Sequence, residues 1–248
     1  MKLIREVHSD WCHIGMKQMM SKICPYYTTK NITGNIRKIC KECEVCKKNK
    51  TRGQSKFGVM SQLGPATQPF EIMSIDTIGG FASTRSTKKY LHLLVDHFTR
   101  YAYITTSRTQ NAKDFIKLVT DIIKSEKVDT ILTDQYPGIN SGEFKEFLEE
   151  NNVKLVFTAV NAPFSNGLNE RLNQTLINKI RCKMNEGEGG RKAWTTTARE
   201  CVKKYNETEH TITGFSPRYL LDGTDTSVLP QKIKDKNMKK EDWEKIGN

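Results

Sequence analysis

The sequence of 248 residues lacks any long apolar run. No stretch approaches the roughly 20 consecutive apolar residues that a bilayer-spanning helix needs, which argues against an integral membrane protein. Residues 1–8 also lack the apolar core of a secretion signal, so the sequence argues against export. Internal repeats are absent as well. With 36% hydrophobic and 27% charged residues, the composition indicates a globular protein that can bury a core.

Acidic residues are outnumbered by basic ones, 28 against 40, and the net charge is +12. The excess is concentrated in residues 1–56, where 13 basic residues stand against 4 acidic ones and give +9. A small basic module joined to a larger one of nearly balanced charge predicts that the small module binds a polyanion. The alternative is a lysine-rich surface that serves solubility alone.

Cysteine is scarce, but five of the seven cysteines precede residue 50. An odd number without a secretion signal favours reduced thiols and metal binding over disulfides. His8 and His13, followed by Cys43 and Cys46, offer four nitrogen and sulfur donors, which suit a closed, structural zinc site. Cys40 with Cys43 has the same spacing and remains an alternative, as does a set of unliganded side chains.

From residue 70 onward, β-branched and aromatic runs alternate with amphipathic stretches. We predict strands over 70–75, 90–95, 101–106, 128–132 and 154–158, and helices over 112–124, 142–150, from about 168, and over 193–205. This order predicts an α/β fold with a mixed five-stranded sheet and flanking helices, as in ribonuclease-H-like folds. The predicted organisation is a small helical zinc-binding domain at 1–50, a linker at 51–69, a core at 70–222 and a basic polar tail at 223–248.

Three acids stand out by their local setting. Asp76 and Asp134 each follow a predicted strand, and Glu170 lies in the first turns of a predicted helix. Acids at neighbouring strand ends can converge, and such oxygen ligands favour Mg²⁺ or Mn²⁺ for phosphoryl transfer. Three separate surface acids are the alternative on spacing alone. We interpret Asp96 as a structural acid at a strand end.

The predicted helix around Glu170 has two distinct faces. Glu170 lies about 200° around the helix from Leu168, which belongs to the predicted apolar stripe, so it faces a crevice rather than the core. Asn173, Gln174 and Arg181 share the face of Glu170. We therefore predict that these three side chains contact the substrate.

Several segments resemble the integrases of retroviruses and of gypsy-type LTR retrotransposons. Residues 131–144 (ILTDQYPGINSGEF) resemble the segment around the second catalytic aspartate of that family, and residues 162–176 (APFSNGLNERLNQTL) resemble the segment around its glutamate. Residues 95–101 (VDHFTRY) resemble its second and third strands, and residues 205–217 resemble the stretch after its last core helix. The segments occur in the same order as in the family.

The resemblance implies an enzyme that processes the 3′ ends of element DNA and transfers them into target DNA. Position by position, the D,D-x35-E triad of the family corresponds to Asp76, Asp134 and Glu170, with Mg²⁺ or Mn²⁺ as the catalytic metal. The resemblance further implies DNA as the partner, homo-oligomers on DNA ends, no membrane, and action in the nucleus after a cytoplasmic stage.

The resemblance extends to the N-terminal zinc-binding domain of these integrases. It favours His8, His13, Cys43 and Cys46 as the zinc ligands over the set with Cys40. The basic run after the last ligand, Lys47 and Lys48, implies DNA contacts.

The C-terminal segment departs from the family pattern. Integrases of this family often continue into a small β-barrel that binds DNA, whereas about 25 residues follow Gly223 here. We therefore expect DNA binding to rest on the zinc module, the linker and the catalytic face. A second hypothesis is a domesticated, non-catalytic DNA- or partner-binding protein; it predicts the loss of a triad acid, and all three are present. A plain metal-dependent nuclease ranks third.

Overall fold

The computed structural model describes residues 1–50, 66–81, 86–158, 167–186 (side chains from 171), 192–211 and 213–224. The predicted linker and tail therefore lie almost wholly outside the described residues. No helix in the described part of the chain is long and apolar enough to cross a membrane.

Residues 1–50, here called the N-terminal module, contain four helices: α1 Lys2–Asp10, α2 Met16–Ile23, α3 Ile32–Glu42 and α4 Glu44–Asn49. Apolar residues at helical spacing, such as Ile4 with Val7 and Ile36 with Ile39, face inward. They form one core of eight buried side chains: Ile4, Val7, Trp11, Ile14, Met19, Ile23, Ile36 and Ile39. The predicted helical domain is confirmed, and its core is small.

The described residues from 66 onward contain a five-stranded sheet with the order β3-β2-β1-β4-β5. The strands are β1 Ile72–Ile78, β2 Tyr90–Asp96, β3 Ala102–Ser107, β4 Thr130–Thr133 and β5 Lys154–Phe157. The first three pair antiparallel, whereas β4 pairs parallel with both β1 and β5. The predicted mixed sheet is confirmed.

The prediction for the first strand is wrong in its bounds. It placed the strand over 70–75 with Asp76 beyond its end, but β1 continues to Ile78, so Asp76 lies inside it. Phe70 has a left-handed φ of 64°, which is incompatible with a strand. At the other end, β2 extends far enough to pair Leu91 with Ile78 and thus prolongs β1.

Helices cover both faces of the sheet. On one face, α5 Ala112–Ser125 and α6 Gly142–Glu150 bury Phe115 and Phe144 against Met73 and Ile75. On the other face lie α7 Gly167–Met184 and α8 Trp194–Asn206, followed by the short α9 Pro217–Asp222. Asn111 forms a capping box with Asp114 at the start of α5.

The N-terminal module packs against α7 and α8. The ring of Trp11 lies between Lys22 of its own module and Lys204 of α8, at 3.9 and 4.2 Å from the two ammonium groups. Cys12 is buried with Ile180 of α7 and with residues of α8. Module and sheet therefore share α7, with one on each side of it.

Asp96 fixes the tight turn between β2 and β3. Its carboxylate is fully buried and accepts hydrogen bonds from the backbone N–H groups of Phe70 (3.0 Å) and Thr99 (2.9 Å) and from the Thr99 hydroxyl (2.6 Å). This arrangement agrees with the structural role predicted for Asp96. It joins the turn to the start of β1.

We predict that Asp96→Asn lowers the free energy of unfolding by about 2–3 kcal/mol, because the new amide N–H₂ would face N–H or O–H donors in a buried site. Chemical denaturation measures this difference. Asp121→Asn is the control, since Asp121 is exposed on α5. Equal unfolding midpoints for the two variants would contradict the structural role of Asp96.

Candidate functional site

Asp76 and Asp134 lie side by side on neighbouring parallel strands. The register pairs Ile75 of β1 with Thr133 of β4, so the next residue along each strand is an aspartate. Adjacent strands are about 4.8 Å apart, and residues paired in this way project on the same face. Asp134 directly follows β4, as predicted, and the structure thus brings two of the three predicted acids together.

Asp76 is oriented by its own strand and by α7. Its Oδ1 accepts a hydrogen bond from the backbone N–H of Thr77 at 2.6 Å, and its Oδ2 accepts one from the side-chain amide of Asn173. The contact exists because Asp76 alternates with Ile75 and therefore projects toward the helix that covers this face. The prediction that Asn173 faces the site agrees with this position.

Asp134 is exposed to solvent and is held by one neighbouring strand. Its Oδ1 accepts a hydrogen bond of 2.5 Å from the hydroxyl of Thr158, which directly follows β5. Thr158 is not among the site residues predicted from the sequence. The sequence could have indicated Thr158, because it ends the predicted strand that follows the strand before Asp134.

Glu170 lies in the first turn of α7, as predicted, but its side chain is outside the described residues. Position 170 and Asn173 are three residues apart and therefore share one face of the helix. Since Asn173 contacts Asp76, that helix face is turned toward Asp76. The backbone of position 170 therefore lies on the helix face that is turned toward Asp76.

The donors at this site fit a hard divalent cation. Carboxylate and amide oxygens are ligands that Mg²⁺ and Mn²⁺ accept. The side-chain oxygen of Asn173, Oδ1, is buried and accepts no hydrogen bond from the described residues, so it is available to a bound water or ion. The chemistry of this site agrees with the predicted catalytic metal.

The remaining predicted contact residues lie along the outer surface. Gln174 and Arg181 are exposed on α7, and Arg181 lies about 12 Å further along the helix than Asn173. Lys47 and Lys48 are exposed on α4, where Lys47 pairs with Glu44 at 2.7 Å. The structure therefore does not gather these residues at the acids.

A second cluster lies in the N-terminal module, where one donor atom from each of His8, His13, Cys43 and Cys46 lies within 4.8 Å of the others. His8 Nε2 is 3.3 Å from the sulfur of Cys46, and His13 Nδ1 is 3.5 Å from the sulfurs of both Cys43 and Cys46. Tetrahedral zinc, with bonds of about 2.0–2.3 Å, separates its nitrogen and sulfur ligands by about 3.5 Å. The cluster fits zinc.

Cys40 lies at the edge of this cluster. Its sulfur is 4.0 Å from His8 Nδ1, the ring nitrogen that faces away from Cys46. An imidazole that presents Nε2 to a shared metal directs Nδ1 elsewhere. The geometry therefore favours Cys46 over Cys40.

Glu186, which is not among the residues predicted from the sequence, reaches this cluster from just past the end of α7. Its Oε1 lies 3.0 Å from His13 Nε2, at ion-pair distance, although the ring N–H does not point straight at it. Burial alone would raise the pKa of Glu186, but its contacts with His13, Lys183 and Ser9 lower that pKa to about 2. Glu186 is thus an anion beside a candidate zinc ligand, and nothing in the local sequence signals a contact over such a chain separation.

Two family models match the chain. The model for the integrase core domain matches residues 66–163, and the model for the integrase zinc binding domain matches residues 1–52. Together they cover more than half of the sequence.

Curated relatives of the chain include the Tf2-3 and Tf2-4 transposon polyproteins of Schizosaccharomyces pombe. Each is 24% identical over 238 residues, which covers 93% of this chain and 17% of the relative. The chain thus spans about a sixth of the length of these polyproteins.

Solved structures with a similar fold include two viral integrases. The simian T-cell lymphotropic virus intasome in complex with the PP2A regulatory subunit B56 gamma gives a TM-score of 0.59 at 19% identity, over 92% of this chain and 77% of that one. The HTLV-2 integrase catalytic core domain in complex with magnesium gives 0.52 at 18% identity, over 62% and 97%. At these identities the likeness shows the fold.

We predict that Cys46→Ser loses zinc and that Cys40→Ser retains it, because the Cys46 sulfur lies 3.3 Å from His8 Nε2 and 3.5 Å from His13 Nδ1, whereas the Cys40 sulfur lies 4.0 Å from the other ring nitrogen of His8. Metal analysis of the dialysed full chain measures zinc per protein, with the wild type expected to hold one ion. Because metal binding stabilises so small a module, Cys46→Ser should also unfold it at a lower temperature. An unchanged zinc content in Cys46→Ser would reverse the assignment.

Proposed function

Because the chain belongs to the integrase family, with a zinc-binding domain in front of an integrase core domain, we propose that it acts as a retroelement integrase. Its reactions would be metal-dependent 3′-end processing of element DNA and transfer of those ends into target DNA. The observation that carries this proposal is the pairing of Asp76 with Asp134 on adjacent parallel strands, beneath the helix that bears Glu170.

The proposed chemistry breaks a phosphodiester bond in each of two steps, by hydrolysis in the first and by exchange for a new phosphodiester bond in the second. In end processing, water attacks the phosphorus and the P–O bond to the terminal nucleotides breaks. In strand transfer, the 3′-hydroxyl of the processed end attacks a target phosphodiester, and a target 3′-hydroxyl leaves. Mg²⁺ or Mn²⁺ bound at the carboxylates would activate the nucleophile and stabilise the charge on the phosphate and the leaving oxygen.

The residues of the chain have separate parts in this scheme. Asp76, Asp134 and Glu170 would be the metal ligands and the catalytic residues. Asn173 and Thr158 would orient the two aspartates through the hydrogen bonds described above. A non-catalytic descendant has no need of this arrangement, which is why the domesticated alternative ranks below the enzyme.

The proposed zinc site would hold the N-terminal module together. His8, His13, Cys43 and Cys46 form a closed set of four ligands with no open position, which indicates structure rather than catalysis. A module with a core of eight apolar side chains gains much of its stability from such an ion.

The proposed DNA surface runs from the acids along α7 to α4. The two helices pack together: the Cys182 thiol lies 3.9 Å from the carbonyl oxygen of Val45, and the Asn185 amide donates to Asn49 at 2.5 Å. The side chains that would contact DNA along this surface are the half-buried Asn173 and the exposed Gln174, Arg181, Lys47 and Lys48. Assembly as homo-oligomers on DNA ends, in the nucleus after import from the cytoplasm, belongs to the same proposal.

For catalysis, we predict that Glu170→Gln lowers the rate of end processing by at least about 100-fold, since the loss of a metal ligand removes about 3 kcal/mol of transition-state stabilisation. The assay uses labelled element-end DNA with Mn²⁺ or Mg²⁺. Glu149→Gln, at an exposed position of α6, is the matched control and should retain activity. Equal rates for wild type and Glu170→Gln would rule out the proposed triad.

For DNA binding, we predict that replacing both Lys47 and Lys48 by Gln reduces the slope of log affinity against log salt concentration by about 1.8, since each lost phosphate contact removes about 0.9. Fluorescence anisotropy with duplex DNA at several salt concentrations measures the slope. The control replaces Lys117 and Lys124 of α5, on the opposite face of the sheet, and should leave the slope unchanged. An equal change of the slope in both double variants would contradict the proposed DNA surface.

A further inference from the structure

Helix α7 presents two different stripes to its surroundings. One stripe is apolar and packs on β2 and α8, with Leu172, Leu176 and Ile180 buried there. The other stripe meets the N-terminal module through Lys179, Cys182 and Lys183, which are three and four residues apart and therefore lie on one side of the helix. Glu186, two residues past the end of α7, extends the same contact.

The second stripe contacts the chain segment that leads into the candidate zinc ligand His13. The ammonium group of Lys179 donates to the carbonyl oxygen of Trp11, and that of Lys183 donates to the carbonyl oxygen of Ser9, both at 3.3 Å. The hydroxyl of Ser9 donates in turn to Glu186. The end of α7 therefore holds the turn that places His13.

This turn has an unusual backbone. Cys12 and His13 both have left-handed φ angles, 54° and 57°, which cost non-glycine residues of order 1–3 kcal/mol each unless neighbouring contacts fix them. Cys12 is fixed by its burial against Ile180, and the carbonyl oxygen of His13 accepts a hydrogen bond from Lys50. Glu186 adds a carboxylate at the imidazole itself.

We propose that Glu186 is a positioning residue for the zinc site and that it couples zinc binding to the helix that carries Glu170. A carboxylate at the second ring nitrogen of a ligand histidine fixes the ring and makes the ligating nitrogen more basic. Here that carboxylate belongs to the core domain rather than to the zinc module. Glu186 directly follows the last turn of α7, and position 170 lies roughly 20 Å from that turn along the helix, so one helix connects the two sites.

The coupling works in both directions. Zinc orients His13, His13 attracts Glu186, and Glu186 holds the last turn of α7 against the module. By the same linkage, a displaced α7 weakens zinc binding by as much as zinc stabilises α7. The proposal rests on zinc binding by the four residues named above, and it does not require that the chain joins DNA.

The first test compares zinc affinities in the full-length chain by competition with a chromophoric chelator. Glu186→Gln keeps the size of the side chain and removes its charge, and we expect zinc to bind about 10–100-fold more weakly. The control is Glu200→Gln, since Glu200 lies on α8 and pairs with Lys192 near the protein surface. We expect this variant to bind zinc as tightly as the wild type does. A change of less than twofold in Glu186→Gln would overturn the proposal.

A second control separates Glu186 from docking in general. Gln18→Ala removes a hydrogen bond of 3.2 Å from the module to the carbonyl oxygen of Glu209, away from the zinc ligands. We expect this variant to retain the wild-type zinc affinity. A loss equal to that of Glu186→Gln would assign the effect to domain docking and would overturn a specific role for Glu186.

The second test needs no variant and therefore holds even if Glu186→Gln fails to fold. Hydrogen exchange of the wild-type chain is measured with zinc and after chelation. We expect chelation to speed the exchange of amides in the last turns of α7 as well as in the N-terminal module. Faster exchange confined to the module would overturn the coupling.

Failure of this inference differs visibly from failure of the proposed function. Zinc affinity and exchange rates are measured without DNA. If no variant or wild-type preparation processes element ends, while Glu186→Gln still weakens zinc binding, the integrase proposal fails and the coupling stands. If end processing depends on Glu170 but zinc affinity is unchanged in Glu186→Gln, the coupling fails and the integrase proposal stands.

Discussion

The parallel pairing of β1 with β4 is the constraint on which the site depends. Its register sets Asp76 beside Asp134, and a slip by one residue would send one carboxylate to the opposite face of the sheet. Such a slip is opposed by burial on both faces, because Met73 and Ile75 pack under α5 while Leu93, opposite Asp76, packs under α7. The hydrophobic pattern thus specifies the register, and the register specifies the geometry of the acids.

Helix α7 transmits this constraint to the rest of the molecule. Its apolar stripe is fixed by the sheet, its Asn173 reaches Asp76, and its polar stripe binds the N-terminal module. The N-terminal module has a small core, so its contacts with α7 and α8 supply part of its stability. Helix α7 therefore contacts the sheet, Asp76 and the N-terminal module. A displacement of its C-terminal end would also shift the residues that lie beside Asp76.

The sequence predicted those features that follow from local patterns, and it missed those that need distant contacts. Asp134 was placed correctly because an apolar run ends just before it, whereas the end of β1 was misjudged because pairing with Leu91 sets it. Thr158 and Glu186 were not predicted for the same reason, because each contacts a residue that is distant in the sequence. The side chain of Glu170 lies outside the described residues, so its role stays a prediction.

The contacts of the two aspartates differ in kind from those of Glu186. Among the contacts described above, Asp76 accepts hydrogen bonds from a backbone N–H and from the amide of Asn173, and Asp134 accepts one from the hydroxyl of Thr158. These donors are neutral and orient the carboxylate oxygens. Carboxylates on adjacent strands repel each other, and a divalent cation between them would offset that repulsion. Glu186 instead pairs with Lys183 at 2.7 Å, and its charge is already balanced within the protein. The paired charge of Glu186 supports the proposal that this carboxylate orients His13 rather than receives a metal itself.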